Sequence, residues 1–566
     1  MTDNAPRNES QVAYHRRRAE ELKTVRSPWE SIWLPLAQYI EPTRLRLSNR
    51  NEGPISRALI NKSTATTALR TLASGMHSGI TSPARPWFRL ATLDPELKDY
   101  APVKTYLADV EQRMREVFAG SNIYTAFHIG YGDQGQFGQS CGLLVEDEKQ
   151  TVRMQQLLHG RFWIARDENG RATTLYRTFR WSVARIVSRF GYEKVSQRIR
   201  TLYDQSKYDE RFDIWHAVEP RLVRDPSKID KKNKAFLSNY WEDSETAGGL
   251  AGELLEESGF DENPIIAPPW ELAGDDHYAL SPGQVALGDV KGLQLEVKRK
   301  WEGIDKKVRP PMTGPTSMRN NPASLLPGAV TYVDDPTGKG FRPAVDVNID
   351  LSHLTADIRE LKDEIKEIFY ADLFLMLSNM EGIQPRNTME IAERKEEKLL
   401  ALGPVLENIY NGQLEPVIDR TYAIMIRNNM LPPPPPDLHG KDLKIEYISI
   451  LAQAQKAVAT GSIERGFAFA GQLAAVKPDV LDKLDADEAV DIYFDYLGVP
   501  PSIVVPDDKV EAVRANRAKE QQAAKNAAAM ATLAPAAKQG ADAAAVLAGA
   551  QNNPGGAELL NRLGIA

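Results

Sequence analysis

TATTALRTLASGMHSGITSPARPWF, residues 64–88, is the most informative stretch of this 566-residue chain. Its first half is rich in small residues and places apolar side chains at Leu69, Leu72 and Met76, a spacing that predicts a helix. Gly79 and the two prolines that follow favour an end to this helix and then a tight turn. The closing Trp-Phe pair can anchor the exit of the turn against a core. The residues alone therefore predict a helix followed by an aromatic-stapled turn.

Shorter patterns lie on either side of this stretch. They are Arg26–Glu30, Trp33, Tyr39-Ile40 and Pro42 upstream, and Tyr278, Pro282-Gly283, Ala286-Leu287, Asp289–Lys291, Thr388–Ile391, Tyr447–Ser449, Leu451-Ala452 and Gln455 downstream. In this order the patterns resemble the signatures of the head-to-tail connecting (portal) proteins of short-tailed phages, over roughly residues 15 to 460. The chain departs from that family after Tyr278, where Ala-Leu-Ser-Pro-Gly replaces a glycine-rich turn, and its C-terminal part resembles the family only loosely.

The composition favours a large protein of a reducing compartment. The length suggests about three or four domains, and 42% apolar residues can supply a core. Cys141 is the only cysteine, so an intramolecular disulfide is impossible and a reducing cytoplasm suits the chain. The polar N-terminus and the lack of a long apolar run predict neither a signal peptide nor a membrane span. The formal charge of −7 argues against a protein that grips nucleic acid through its overall field.

Helical patterns predominate up to about Asp99. Ser27-Pro28-Trp29-Glu30 is a capping box with proline at the first helical position, which predicts that a helix begins there. Residues 101–127 continue with apolar side chains three and four positions apart, and they are predicted to form a further helix.

From Leu143 the pattern changes to strands. An Asn169-Gly170 turn between two β-rich runs predicts a hairpin. Further strand-like runs lie at residues 212–218, 235–241 and 264–266. We therefore interpret residues 143–275 as an α/β wing that contains most of the sheet.

Two long helices enclose an irregular insert. Apolar positions recur in helical steps from Ala286 to Val308 and again from Leu354 to Leu375, where Asp372 interrupts the series. Between them, residues 307–350 contain seven prolines and four glycines. Such an insert is typical of a functional lobe or of a disordered one. The residues alone leave two interpretations open: a stem that carries a docking clip, and a coiled-coil hairpin with a floppy tip.

The C-terminal third begins with a second capping box, Asn387 to Glu390, which predicts a helix bent at Pro404 and Pro416. Five prolines at 432–436 form a stiff spacer. Residues 445–451 are predicted to be a strand that returns to the wing. The tail, with 18 alanines among residues 511–550, is predicted to be helical as far as Pro535 and frayed beyond Gly540.

Two catalytic motifs match between Gly130 and Gly142. Residues 130–135 fit the dinucleotide fingerprint G-x-G-x-x-G, and residues 138–142 fit the nucleophile elbow G-x-S-x-G around Ser140. Both motifs need a strand before the glycines and a helix after them, whereas here a helix pattern precedes and a strand pattern follows. Close helix packing is therefore the favoured interpretation of these glycines, and Cys141 is expected to be a buried small side chain.

Other enzymatic and metal sites find little support. Gly338-Lys339 lacks the frame of a phosphate loop, so ATP hydrolysis is not expected. The acidic runs Glu146–Glu148 and Asp275–His277 lack the spacing of a metal site and are expected to be solvated. We predict no enzyme, no cofactor and no metal.

The resemblance to portal proteins implies an α+β, mainly helical fold with an α/β wing, a two-helix stem, a loop-rich clip and a helical C-terminal crown. It implies these segments: 1–283, N-terminal helices and wing; 284–306, first stem helix; 307–352, clip; 353–379, second stem helix; 380–386, tunnel loop; 387–431, long kinked helix; 432–506, return to the wing; 507–566, alanine-rich crown or tail. Asn379 and Arg386 are the candidates for contact with DNA in the channel. Arg309 and Arg319 are the candidates for docking at the clip.

The same resemblance implies a structural subunit of a homo-oligomeric ring, twelve-membered in the family, at one capsid vertex of the virion. The implied partners are double-stranded DNA bound without sequence preference, the large terminase subunit, a tail adaptor and the major capsid protein, with no membrane. Two alternatives remain at this point. One is a serine esterase or nucleotide-binding enzyme that uses Gly130–Gly142, and the other is a different helical head-completion protein.

Overall fold

The structure is a computed structural model of the chain. It describes residues 10–48, 53, 55–94, 97, 100–243, 254–313, 342–343, 352–378, 402–438, 440–441, 443–449, 451, 466–474, 477, 479, 484–497, 505 and 509–525. The chain divides into two units, Met1–Ala459 and Thr460–Ala566.

The first unit combines helices and antiparallel sheets. Its helices are α1 (Gln11–Tyr39), α2 (Thr64–Ile80), α3 (Ala101–Gly120), α4 (Ile123–Phe137), α5 (Val183–Phe190), α6 (Gln197–Asp204), α7 (Pro282–Val285), α8 (Leu287–Val308), α9 (Ser352–Ile368), α10 (Ala371–Ser378), α11 (Gly403–Ile409) and α12 (Glu415–Arg427). Its strands are β1 (Phe88–Thr92), β2 (Gly142–Asp147), β3 (Thr151–Gln156), β4 (Phe162–Arg166), β5 (Ala172–Ser182), β6 (Arg211–Pro220), β7 (Phe236–Glu242), β8 (Glu256–Phe260), β9 (Ile265–Ile266), β10 (Met312–Thr313), β11 (Arg342–Pro343) and β12 (Leu443–Tyr447). The α+β, mainly helical class is therefore confirmed.

Helix α1 begins earlier than the capping box predicts. Its N-cap is Ser10, whose Oγ accepts a hydrogen bond of 3.2 Å from the backbone N–H of Ala13. Pro28 lies inside the helix, and the predicted start at Ser27 is therefore wrong. Arg26 explains why the helix continues past this proline, because it is buried and donates to the backbone oxygens of Gly160 and Phe162. Tertiary anchoring of this kind can offset the local cost of a proline.

Helix α2 and the turn after it follow the prediction. The helix ends at Ile80, and Trp87 and Phe88 are buried in the main core. Phe88 also starts strand β1, which pairs antiparallel with β12 from Phe88↔Tyr447 to Thr92↔Leu443. The prediction that the chain stays helical up to Asp99 is wrong at this strand, because its pairing partner lies far away in the sequence.

The five-stranded sheet has the order β4-β5-β6-β7-β8, with every neighbouring pair antiparallel. The predicted hairpin at Asn169-Gly170 is confirmed, and Gly170 supplies the positive φ, +73°, that its turn requires. Strand β6 alternates its buried side chains between the two faces. Trp215 and Ala217 face a core shared with α1, whereas Phe212 and Ile214 face α5 and α6.

Two further predictions near the C-terminus need correction. Strand β12 exists, but it pairs with β1 and not with the five-stranded sheet of the wing. Pro404 and Pro416 occupy the first turns of α11 and α12, and a π-helical segment, Tyr410–Leu414, lies between these helices. The departure from regular α-helix therefore lies in the π-helical segment and not at the two prolines, and such segments are common sites of helix bends. The capping box at Asn387 lies outside the described residues.

In the second unit, the described residues include helices at 466–474, Ala486–Leu497 and 509–525. Asp487 and Arg514 form two hydrogen bonds that join the second and third of them. The predicted helical tail is confirmed over residues 509–525, and the remainder of that prediction lies outside the described residues. No helix in the described parts of the chain combines the length and apolarity needed to cross a bilayer.

Candidate functional site

Helix α4 packs closely against its surroundings, and its glycines make this close packing possible. A Cβ on Gly135 would lie 2.6 Å from Leu72 of α2, and a Cβ on Gly132 would overlap the guanidinium of Arg44. A Cβ on Gly130 would lie 3.2 Å from the Oγ of Ser140. These distances are shorter than ordinary contacts, so the glycines permit close packing, as predicted.

The nucleophile-elbow alternative fails on the order of elements. Helix α4 precedes Ser140 and strand β2 follows it, the reverse of what the elbow requires. Gly138 has φ +88° and ends α4 as its C-cap. Burial raises the pKa of the Cys141 thiol to about 12, so the reactive thiolate is absent at neutral pH. Residues 130–135 lie inside α4 and not in a loop between a strand and a helix, so neither motif has the structural context that it requires.

Polar groups join α4 to α1 and the segment that follows α1, and to the short helix α7. Arg44 binds Asp133 at 2.7 Å, and burial raises the pKa of this carboxyl to about 6 although Arg44 lowers it. Gln136 donates to the backbone oxygens of Leu36 and Glu41. On the other side, the Oγ of Ser281 donates to the backbone oxygen of Gln136 and caps the short helix α7 that leads into α8. These hydrogen bonds tie α4 to α1 and to the short helix that precedes α8.

Helix α8 is buried at its start and exposed towards its end. Val290, Leu293 and Val297 lie in the main core, while Gln294 exchanges two hydrogen bonds of 2.8 Å with the backbone of Lys62, just before α2. Further along the same helix, three apolar side chains are exposed. They are Trp301 at 53%, Ile304 at 40% and Val308 at 71%, and together they are called the distal stripe.

Helix α9 packs beside α8 and is buried at Ile358 and Ile365, as its spacing predicts. The Nζ of Lys300 on α8 donates to the Oγ1 of Thr355 on α9 at 3.0 Å. The predicted break at Asp372 lies two residues late, because α9 ends at Ile368 and Tyr370 takes a positive φ of +54° before α10 begins. This conformation is uncommon for a bulky residue and marks the joint between the two helices.

Helix α10 docks onto α2 through a glycine. Phe374 is buried against Gly75, where an added Cβ would lie 2.5 Å from the Cβ of Phe374 and closer still to its ring. Gly79 lies one turn further along α2 and packs against Leu451. An added Cβ on Gly79 would lie 2.9 Å from the Cδ1 of Leu451. Helix α2 therefore forms the seat for α10, a role that the sequence motif does not reveal.

The predicted site residues are only partly within the described chain. Arg309 is exposed immediately after α8, and its backbone N–H donates to the oxygen of Asp305. The following β10–β11 ladder, Met312–Thr313 with Arg342–Pro343, brings the two ends of the insert together. Arg319, Asn379 and Arg386 lie outside the described residues.

The acidic runs are largely solvated, as predicted, with Glu146, Glu148, Asp275 and Asp276 exposed. Glu146 binds Arg427 at 2.8 Å, and Asp147 accepts the backbone N–H groups of Lys149 and Gln150 in the β2–β3 turn. Within the described residues, no group of three or more His, Cys, Asp and Glu side chains is placed to hold a metal ion.

Comparisons with known proteins identify the class to which this architecture belongs. Residues 13–504 match the profile of the family described as bacteriophage head to tail connecting protein, and the chain belongs to that family. The portal protein of Salmonella phage epsilon15 is 44% identical over 508 residues, which is 89% of this chain and 90% of the relative. The probable portal protein of Bordetella phage BPP-1 is 45% identical over 532 residues, 93% of each chain.

Among solved structures, the chain is similar to one from the virion of a native gene transfer agent particle. That match has 12% identity and a TM-score of 0.32, and it covers 77% of this chain and 90% of the other. A chain from the neck of the empty particle, computed with C6 symmetry, gives 13% identity and a TM-score of 0.34, covering 78% and 91%. On the family match and the two relatives, this protein is a structural head-to-tail connector, a portal protein of the phage virion at the capsid vertex.

Proposed function

We propose that the chain assembles into a closed ring, twelve-membered as the family resemblance implies, that conducts double-stranded DNA. The ring first docks the large terminase subunit for packaging and later the tail adaptor, while its wing meets the major capsid protein. The distal stripe is the observation that supports assembly most directly. It continues the buried face of α8 outward, and contiguous exposed apolar side chains are typical of a surface that another subunit covers.

The free energy that the distal stripe contributes to assembly can be estimated from the exposed surface of Trp301. An aromatic side chain such as tryptophan buries about 150–250 Å² on folding, so the exposed half of Trp301 corresponds to roughly 80–130 Å² still open to water. At about 25 cal/mol per Å², its burial by a neighbour is worth roughly 2–3 kcal/mol for each interface. A closed ring repeats this contribution at every interface, so removal of one side chain per subunit weakens the whole assembly.

The test compares Trp301→Ser with a matched surface variant. Leu222→Ser removes a side chain that is 77% exposed but lies in the loop after β6, away from the stem. In sedimentation velocity at micromolar subunit concentration, Trp301→Ser should shift the protein towards smaller species and Leu222→Ser should not. Equal assembly of both variants would contradict the proposed role of the stripe.

DNA conduction is proposed on the family resemblance and on the charge of the chain. A formal net charge of −7 favours weak contact with phosphates, which suits a duplex that must slide. Asn379, immediately before the proposed tunnel loop of residues 380–386, and Arg386 within it remain the proposed contacts with the duplex. Filter binding of duplex DNA to the assembled protein should show weak, sequence-independent retention at physiological salt. Tight, sequence-selective binding would refute a passive conduit.

The clip, residues 307–352, is proposed as the docking element for terminase and adaptor, with Arg309 and Arg319 at its surface. The β10–β11 ladder supports this because it holds the two ends of the insert side by side. Arg309→Glu should weaken capture of the terminase subunit on immobilised rings. Arg299→Glu, a change of the same charge on α8, is the control and should leave capture unchanged. We further propose that the protein acts without enzymatic activity.

A further inference from the structure

The outer end of the wing is built from the chain between β5 and β6. The ladder of these two strands ends at Ser182↔Arg211, and residues 183–210, which include α5 and α6, lie beyond that end. The opposite end of β5 lies near α12, because Arg171, just before the strand, is 3.8 Å from Glu415. The two helices pack with the start of β6 on a small core that is separate from the main core. We call residues 183–210 the wing tip.

Three tyrosine rings form a continuous surface on the wing tip. The ring of Tyr203 on α6 lies between those of Tyr192 and Tyr208, at centroid distances of 6.1 and 5.2 Å. Tyr192 is 37% exposed and Tyr208 is 43% exposed, while Tyr203 is half-buried between them. Aromatic rings that touch one another at the surface leave adjoining apolar area in water, which is typical of a contact surface for another molecule.

The fold constrains where the two outer tyrosines lie. The hydroxyl of Tyr192 donates to Oδ2 of Asp204 at 2.9 Å. The turn that leads to Tyr208 contains Ser206 at a positive φ of +57°, and the backbone oxygen of Tyr208 accepts the N–H of Ala184. A positive φ in a residue other than glycine costs free energy and persists where the surrounding structure requires it. Contact residues that are ordered before binding lose less entropy when a partner binds.

The charges around the rings favour a protein partner with acidic groups. The wing tip contains six Arg and Lys against four Asp and Glu, in a chain whose net charge is −7. The guanidinium of Arg200 lies 5.8 Å from the centre of the Tyr192 ring, and its hydrogen bonds go to the backbone oxygens of Val195 and Glu193 rather than to a carboxylate. The four interleaved carboxylates would repel the phosphates of a nucleic acid. Tyrosine and arginine are, by contrast, enriched at the centres of protein–protein interfaces.

We propose that Tyr192, Tyr203 and Tyr208, together with Arg200, form a docking surface for a protein partner that presents an apolar patch with an acidic rim. The rings supply the apolar centre of the contact, and the guanidinium pairs with a carboxylate of the partner. The inference rests on the proposed function, in which the wing meets the major capsid protein, and it identifies the part of the wing that makes this contact.

The first test measures binding of purified, unassembled major capsid protein to immobilised full-length protein by biolayer interferometry. Tyr192→Ala and Tyr208→Ala should each weaken binding by roughly 30-fold or more, as truncation of a central interface residue does. Tyr100→Ala is the matched control and should leave binding unchanged, because Tyr100 is 45% exposed but lies just before α3, outside the wing.

The outcomes separate the inference from the proposed function. Equal binding by the unaltered protein and both wing-tip variants would overturn the inference and leave the contact between wing and capsid protein standing. Absence of binding by the unaltered protein would refute that contact and the inference with it. A shift of either variant towards smaller species in sedimentation velocity would assign the surface to a second copy of the chain and would also overturn the inference.

A second measurement uses the unaltered protein and does not rely on the folding of variants. Tetranitromethane nitrates accessible tyrosine rings, and mass spectrometry reports the extent at each residue. Saturating capsid protein should slow nitration of Tyr192 and Tyr208 and leave Tyr100 unaffected. Equal nitration rates at Tyr192 and Tyr208 with and without bound capsid protein would show that the capsid protein docks elsewhere.

Discussion

Substitution of Gly75 by alanine tests how α10 is seated on α2. The new Cβ would lie 2.5 Å from the Cβ of Phe374 and nearer still to two ring atoms. Ordinary carbon contacts begin at about 3.5 Å, so the side chain of Phe374 or the whole of α10 must move by at least ~1 Å. Overpacking of this degree typically costs about 1–3 kcal/mol, and occasionally more. Expulsion of Phe374 instead would approach the roughly 3–5 kcal/mol of a Phe→Ala change in a core.

A helix-propensity gain of about 1 kcal/mol opposes this cost, because alanine replaces glycine inside a helix. We therefore expect Gly75→Ala to destabilise the protein by a net of roughly 0–2 kcal/mol if Phe374 shifts and by about 2–4 kcal/mol if Phe374 is expelled. Gly288→Ala is the matched control, because Gly288 lies in helix α8 and nothing approaches its added Cβ within 4 Å. The control should be neutral or stabilising by up to about 1 kcal/mol.

Differential scanning calorimetry at fixed protein concentration measures both effects, since the assembly state contributes to the midpoint. The double variant Gly75→Ala with Phe374→Ala should be less destabilised than the sum of the single changes, because the clash disappears with the ring. If Gly75→Ala matched Gly288→Ala in stability, Phe374 would not occupy the seat on α2, and the placement of α10 would be wrong.

Three further predictions follow from other parts of the molecule. Ser140→Ala should leave assembly intact, because Ser140 packs against Gly130. Neither the unaltered protein nor this variant should hydrolyse esters, and an esterase activity abolished by the change would contradict the assignment of Ser140 to packing. Burial lowers the pKa of His15 to about 3, so the stability it contributes is present above pH 6.5 and is lost as pH falls from 6.5 towards 3. Chemical denaturation should show that the free energy of unfolding declines by at most about 1.4 kcal/mol per pH unit for one group. His15→Gln should make this pH dependence shallower, and an equal slope in the variant would contradict the role of His15. Replacement of residues 312–345 by a short Gly/Ser linker should leave soluble subunits, since loop closure depends weakly on length, but should abolish recruitment of terminase or adaptor; normal packaging and tail attachment would exclude the lobe as the docking element.

The elements with strong local signals could be predicted from the sequence. The stripes of α2, α8 and α9 follow the helical period, and the Asn169-Gly170 turn demands a positive φ that glycine supplies. In each case the residues near one another in sequence determine the structure. The glycines of α4 could also be assigned to packing, because a helix pattern precedes them and a strand follows.

The predictions that were wrong concern elements whose structure depends on residues distant in the sequence. Strand β1 forms because β12, more than three hundred residues later, pairs with it, and the alternation of residues 88–92 is too short to predict a strand without that partner. Helix α1 continues through Pro28 because buried Arg26 binds the backbone at Gly160 and Phe162. The break at Tyr370 rather than Asp372 likewise reflects tertiary packing. The seat formed by Gly75 was missed because a helical glycine carries no signal of what lies against it.

The mass of the native assembly tests the central claim most directly. Native mass spectrometry of the purified full-length protein at micromolar subunit concentration should give a single closed oligomer well above a tetramer. A ring of twelve 63.0-kDa subunits is the species that the family resemblance implies. Negative-stain images of the same sample should show pierced rings. A protein that remained monomeric under these conditions would contradict the account.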